Sequence, residues 1–262
     1  MAVMRFTPIA GIALSFVATL GSSCSPAPQT PGEIVLFAAA SSGEAVKAIA
    51  ATFEKVTGHH VVINTASTAT LAGQVKEGAT ADLFLSADQT WMDELEKAGR
   101  LRDGTRRDLL ANDLVLVGAI GAATVGLAKG EVPATVAAAD RIALADPATV
   151  PAGRYARESF TWLGWWEAVE SKMVTGADVR ATLKLVEMGE APIGVVYATD
   201  ARSSEKVRVL GTFPAESHTP IVYPVALLAG AGDGSAEFLA YLSGDEARRA
   251  FESAGFRLVG EP

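Results

Sequence analysis

Apolar positions along this chain keep two different periods, and the periods alternate. Residues 34–37 are a continuous apolar run of strand length, residues 38–40 are alanines, and Ser41 and Ser42 come next. Behind the serines Val46, Ile49, Ala50, Phe53 and Val56 recur at helical spacing until Gly58. The switch then repeats. Residues 61–64 predict a strand, and Ser67 and Thr68 precede a short helix that ends near Gly78. Further strands are predicted at 82–85, 114–117, 141–144, 193–196, 207–210 and 221–228. Helices are predicted at 89–97, 154–163, 178–188, 236–242 and 246–254. Residues 119–139 are rich in small side chains and follow neither period, and Asp146-Pro147 marks a turn. The alternation predicts an α/β fold with largely parallel sheets. No short-period repeat interrupts it.

A strand that runs into two hydroxyls and a helix places O–H and N–H donors at the positive end of a helix dipole. Such a place binds anions without a lysine. Two of them converging on one point hold a small oxyanion. Open α/β sheets take ligands at the carboxyl ends of their strands, and Ser41, Ser67, Thr68, Ala152 and Tyr197 all follow predicted strands. Each also has a plainer reading. Ser41, Ser42, Ser67 and Thr68 serve equally well as helix caps, contributing about 1 kcal/mol each. Val150-Pro151-Ala152-Gly153 reads as an ordinary loop, or as uncovered backbone that a ligand can approach. A tyrosine at the end of an apolar strand usually packs its ring and bonds its hydroxyl locally.

Composition narrows the partner. The 262 residues are 49% hydrophobic, enough for one large domain or two lobes. Net charge is −8, and removal of a leader that holds only Arg5 makes it −9. So acidic a chain does not attract nucleic acid, and an anionic ligand must be captured by local dipoles against the global field. Aromatics at 7% argue against stacking platforms.

The amino terminus reads as an export signal over residues 1–24. Arg5 supplies the positive region, residues 9–20 are mostly apolar, and Gly21, Ser22 and Ser23 are small. The apolar run is too short for a good transmembrane helix, so the mature protein is expected to be soluble, in the periplasm or otherwise outside the cytoplasm. Cys24 is the one cysteine, which excludes an internal disulfide. It follows small residues as in a bacterial lipoprotein box, with Leu20 four rather than three residues before it. Lipidation at Cys24 and ordinary leader cleavage both stay open. Residues 25–32, with three prolines, read as a linker.

Enzyme signatures are sparse. Neither Gly-x-Ser-x-Gly nor His-Glu-x-x-His occurs. Ser203 and Lys206 match Ser-x-x-Lys inside a polar surface loop, and Gly230, Gly232 and Gly234 lack the full dinucleotide spacing. His59, His60 and His218 have no metal-ligand spacing and read as structural or surface residues. Trp162, Trp165 and Trp166 read as packing. A hydrolase using a serine of the strand–helix turns remains an alternative, without a histidine base near any candidate.

Several stretches together resemble one family, the periplasmic molybdate-binding proteins of ABC importers, which are type II solute-binding proteins. They are Phe37-Ala38-Ala39-Ala40-Ser41, then Ala81-Asp82-Leu83-Phe84-Leu85-Ser86-Ala87-Asp88 with Trp91-Met92-Asp93. Asp146-Pro147 with Val150-Pro151-Ala152-Gly153-Arg154-Tyr155-Ala156, Asp178-Val179-Arg180 and Gly194-Val195-Val196-Tyr197 follow. Phe213-Pro214, Ser217-His218, Tyr223-Pro224-Val225 and Gly255-Phe256 complete the set. The resemblance implies a two-lobed fold with a ligand cleft between the lobes. Lobe one would be residues 33–112 and 223–262, and lobe two residues 113–222. It implies an oxyanion held by the hydroxyls of Ser41, of Thr68 (or its neighbour Ser67) and of Tyr197, and by the backbone N–H groups of Ala152 and Val179. The ligand would be molybdate or tungstate, with no cofactor and no direct metal ligand. The partner would be an ABC transporter permease in the inner membrane, met by a monomer that catalyses nothing. None of the five positions is cationic or a carboxylate. Neutral donors suit a bare dianion, whereas hydrogen phosphate would leave its own O–H poorly paired. Sulfate or another small oxyanion is the nearest alternative ligand.

Overall fold

A computed structural model describes residues 32–259. The proposed leader, Cys24 and all but the last residue of the proposed linker lie outside that span. The chain enters through β1 (Glu33–Ala39), passes a 3-10 turn (Ala40–Ser42) and forms α1 (Gly43–Thr57). Gly58 ends α1 in the left-handed region at φ 77°, where only glycine is free of steric cost. Then come β2 (His60–Ala66), α2 (Thr68–Lys76), β3 (Leu83–Leu85), α3 (Gln89–Lys97) and β4 (Arg107–Ala111). The chain crosses at Asn112 and Asp113 into β5 (Leu114–Ala119). It continues through α4 (Ala134–Ala138), β6 (Ile142–Ala145), α5 (Pro151–Leu163), α6 (Trp166–Glu170) and β7 (Met173–Gly176). Next are α7 (Val179–Glu187), β8 (Ile193–Tyr197), α8 (Ala198–Arg202) and β9 (Val207–Thr212). It returns through β10 (Val222–Leu227), α9 (Ser235–Leu242), α10 (Asp245–Ser253) and β11 (Arg257–Leu258).

The strands form two sheets, ordered β11-β4-β10-β3-β1-β2 and β7-β6-β8-β5-β9. This is a two-lobed α/β architecture. The sheets are mixed, which corrects the expectation of largely parallel pairing. β1 runs parallel to β2 and β3, and β6 runs parallel to β7 and β8. β10 is antiparallel to β3 and β4, β11 to β4, and β5 to β8 and β9. β5 and β10 are the strands that follow the two crossings, and each enters its new sheet between strands that run the other way. An apolar run reports burial and carries no information on direction.

Alternation along β1 fills both faces of its sheet. Ile34, Leu36 and Ala38 join the larger apolar cluster, whereas Phe37 meets Leu71, Val75, Phe84 and Met92 on the other side. The expected strands are present, and β4, β7 and β11 are additional. β7 is only half-buried and β11 has two residues, so neither makes a continuous apolar run. The ambiguous stretch 119–139 holds one short helix, α4. Trp165 is buried and its indole N–H donates to the Gly130 carbonyl at 3.0 Å. Trp162 and Trp166 lie half-buried beneath Lys129 and Arg157.

Candidate ligand-binding site

One cavity collects strand ends and helix starts from both sheets. It encloses about 210 Å³, counting the part open to solvent. Ser41, Thr68, Ala152, Val179 and Tyr197 all line it, as does Ser67. Ala39, Ala40, Ala87, Val150, Pro151 and Asp178 complete the lining. Among the described residues no lysine or arginine reaches its wall.

Ser41 sits in the 3-10 turn after β1, and its Oγ is 2.9 Å from the Tyr223 hydroxyl. Asn112 Nδ2 donates to that same hydroxyl at 3.3 Å and to Thr199 Oγ1 at 2.9 Å. Burial pushes the Tyr223 phenol above its ordinary range, so it keeps its proton. With Asn112 donating to Tyr223 and Tyr223 donating to Ser41, the Ser41 proton is free to point into the cavity. Ser42 is different. Its Oγ donates to the Ala39 carbonyl at 2.8 Å, and it is absent from the lining.

Thr68 opens α2, and its Oγ1 accepts the Ala87 N–H at 3.0 Å. Among the described residues Thr68 Oγ1 makes no other hydrogen bond, so its own proton is uncommitted. Ser67 is the cap of α2. Its Oγ accepts the Thr70 N–H at 3.1 Å and lies 2.8 Å from Thr70 Oγ1. Ser67 therefore caps α2, and Thr68 is the residue of the pair that lines the cavity without capping the helix.

Ala152 is the second residue of α5, behind Pro151, and no side chain caps that helix. First-turn N–H groups have no intrahelical acceptor, so the N–H of Ala152, a lining residue, starts the helix without one. Gly153 is required here, because an added Cβ would lie 2.5 Å from the Asp146 carbonyl. Val179 opens α7. The Asp178 carboxylate caps that helix by accepting the Ala181 N–H at 2.9 Å, and Val179, a lining residue, has a first-turn N–H without an intrahelical acceptor.

Tyr197 ends β8 and is buried, yet among the described residues its hydroxyl has no hydrogen-bond partner. Its ring packs edge-on against Tyr155 (centroids 6.5 Å apart) and Tyr223 (5.9 Å). Burial raises its pKa well above the ordinary tyrosine value, with the neighbouring phenols adding to the shift. The hydroxyl is therefore a protonated donor. Behind it lies Asp200, fully buried, with Arg180 Nε 3.4 Å from Oδ1. Burial pushes this carboxyl up to about 7.

Sequence reasoning did not assign Tyr223 and Asn112 to the site. The signal was present, since both lie at the predicted crossings, but a bond between residues 111 positions apart has no local signature. The histidines are elsewhere. His59 stacks on Phe53, His60 pairs with Glu54 at 2.8 Å, and His218 lies against Tyr155. None lines the cavity, and Ser41 has a phenol, not an imidazole, as its partner. Ser203 donates to the Asp200 carbonyl in a turn, and Gly234 packs on His59 before α9. Among the described residues no cluster of histidine, cysteine and carboxylates is arranged to hold a metal ion.

Known proteins resemble this chain in sequence and in fold. The sequence profile of the bacterial extracellular solute-binding protein family matches residues 34–257. The molybdate-binding protein ModA of Haemophilus influenzae is 40% identical over 252 residues, 95% of this chain and 94% of that protein. A Bacillus subtilis protein described as a putative ABC transporter substrate-binding lipoprotein, YvgL, is 37% identical over 231 residues, covering 85% of each chain. The solved periplasmic molybdate-binding protein of Azotobacter vinelandii superposes with a TM-score of 0.73 at 23% identity, covering 87% of this chain and all of that one. The chain belongs to the bacterial extracellular solute-binding proteins.

Proposed function

We propose that this protein binds molybdate, and tungstate by the same contacts, between its two lobes and delivers it to the permease of an ABC importer. One observation carries the reading. Five uncharged donors, two from the first sheet's elements and three from the second's, line a single cavity with no cationic side chain among the described residues of its wall. A dianion there accepts hydroxyl protons from Ser41, Thr68 and Tyr197 and N–H bonds from Ala152 and Val179. Hydrogen bonds to a charged acceptor are about twice as strong as neutral ones. Five of them offset the loss of the anion's water. The first lobe is 33–112 with 223–262, and the second is 113–222. The ligand stabilises the closed arrangement because only closure brings both sets of donors to it. No bond is made or broken.

Relatives described as molybdate-binding support the choice of ion, and the donor chemistry supports a fully deprotonated tetrahedron. Residues 1–24 export the chain, so that it works outside the cytoplasm. The mass of the mature amino terminus decides between an acylated Cys24 and ordinary cleavage. Calorimetric titration of the purified protein with molybdate, tungstate, sulfate and phosphate tests the function. Binding of molybdate and tungstate far ahead of sulfate and phosphate is expected. A preference for sulfate keeps the fold and overturns the ligand.

A further inference from the structure

Between α3 and α5 the two lobes touch through side chains that do not line the ligand cavity. The Arg154 guanidinium pairs with the Asp88 carboxylate. Beside them Trp91 Nε1 donates to the Thr149 carbonyl at 3.0 Å, and the Tyr155 hydroxyl reaches the Ala87 carbonyl at 3.5 Å. Asp88 belongs to the first lobe, at the start of α3, and Arg154 to the second, in the first turns of α5. The Asp88 side chain is 3% exposed. A carboxylate so buried is stable only with its partner in place.

Both partners are bonded into the cavity wall. Ala87, next to Asp88, gives its N–H to Thr68 Oγ1. Arg154 follows Ala152 by two residues in the same helix. Ser86 Oγ fixes the loop between them by donating to the Asp88 carbonyl at 2.6 Å and accepting the Asp88 N–H at 3.1 Å. The ion pair thus joins a hydroxyl donor of one lobe to an N–H donor of the other.

We infer that Asp88 and Arg154 form a cross-cleft latch, a pair of positioning residues that set oxyanion affinity by holding the lobes closed. The inference rests on the proposed function for its ligand but on the ion pair for its geometry. It also assigns Arg154 a role other than charge attraction. This guanidinium is neutralised by Asp88, so it stabilises closure and leaves the anion to neutral donors. Breaking one side of a buried charged pair acts mainly on dissociation. A smaller closed fraction weakens apparent affinity in proportion.

The test is a double-mutant cycle on the whole mature protein, read by molybdate affinity and by association and dissociation rates. Asn in place of Asp88 retains the α3 cap, which now accepts the Trp91 N–H at 3.1 Å. Arg154→Met and Asp88→Asn should each weaken binding about tenfold through faster release, as for lost charged contacts. The double variant should be no worse than the weaker single, and Arg154→Lys should recover part of the loss. Tighter binding by Asp88→Asn would overturn the latch, because Arg154 would then be acting as a bare charge on the anion. Unchanged dissociation in both singles overturns it as well. If the wild type binds no oxyanion, the proposed function fails on its own. Small-angle scattering of the ligand-free chains then decides the latch: a more open Arg154→Met supports it, and identical profiles refute it.

Discussion

The two halves of the cavity treat their donors differently. On the first sheet's side every hydroxyl is already engaged. Ser41 meets Tyr223, Thr68 accepts from Ala87, and Ser67 caps α2. On the second sheet's side the donors are bare. Tyr197 has no hydrogen bond, and α5 starts without a side-chain cap. One half is oriented by protein partners in advance. The other presents a donor that no described protein group satisfies, and an unsatisfied buried hydroxyl costs about 1–3 kcal/mol.

The sharpest break of this comparison pairs Tyr197→Phe with Ser41→Ala. Each should weaken molybdate binding by about 1.5–3 kcal/mol, as for a lost hydrogen bond to a charged group. Their effects on the ligand-free protein should have opposite signs. Tyr197→Phe removes an unpaired polar atom and should raise the urea midpoint, by a free energy of about 1 kcal/mol. Ser41→Ala strips Tyr223 of its acceptor and should lower stability by about 1 kcal/mol. Equal losses of stability in both variants would show that the halves do not differ.

Gly153→Ala asks how the bare half is positioned. The added methyl would press on the Asp146 carbonyl and push the start of α5 off the end of β6. Overpacking of that kind costs about 1–3 kcal/mol. Affinity should fall with it, because the Ala152 N–H moves too. A fully stable variant with weakened binding would place the loss in donor geometry alone. A variant with normal affinity would remove Ala152 from the site.

The same asymmetry decides what the sequence made legible. The engaged half announced itself, because strand, hydroxyl and helix follow one another at Ser41 and again at Ser67 and Thr68. Which hydroxyl caps and which faces the cavity was open, since both fit the local pattern and only the Ala87 N–H separates them. The bare half offers backbone N–H groups at Ala152 and Val179, and their side chains give no sign of it. The Val150-Pro151-Ala152-Gly153 stretch offers Ala152 alongside an ordinary loop, and resemblance alone supplies Val179. Strand order was hidden for a related reason. Direction and neighbours depend on β5 and β10 returning between distant strands, and no periodicity encodes a crossing.

The smallest expected effect is a pH dependence that belongs to the bare half. Asp200 lies behind Tyr197, with Arg180 beside it and Asp178 at the start of α7 as the other facing carboxylate. Its folded pKa stands at about 7, raised by burial from 3.8. For the ligand-free protein this raised carboxyl subtracts stability as pH climbs from about 4 to about 7. Across that window the unfolded chain has released a proton that the folded chain still holds. Above about 7 the folded carboxyl is charged as well, and this group no longer changes stability with pH. A bound dianion adds negative charge nearby and favours the protonated carboxyl further. Affinity should therefore be greatest below pH 7 and decline through it, with proton uptake on binding near neutrality. The tyrosine donors do not titrate there, because burial holds both phenols above their ordinary range. Calorimetry at pH 7 in two buffers of different ionisation enthalpy measures that uptake. No uptake and a flat affinity from pH 6 to pH 8 would mean that the Arg180 charge already screens Asp200 from the cavity.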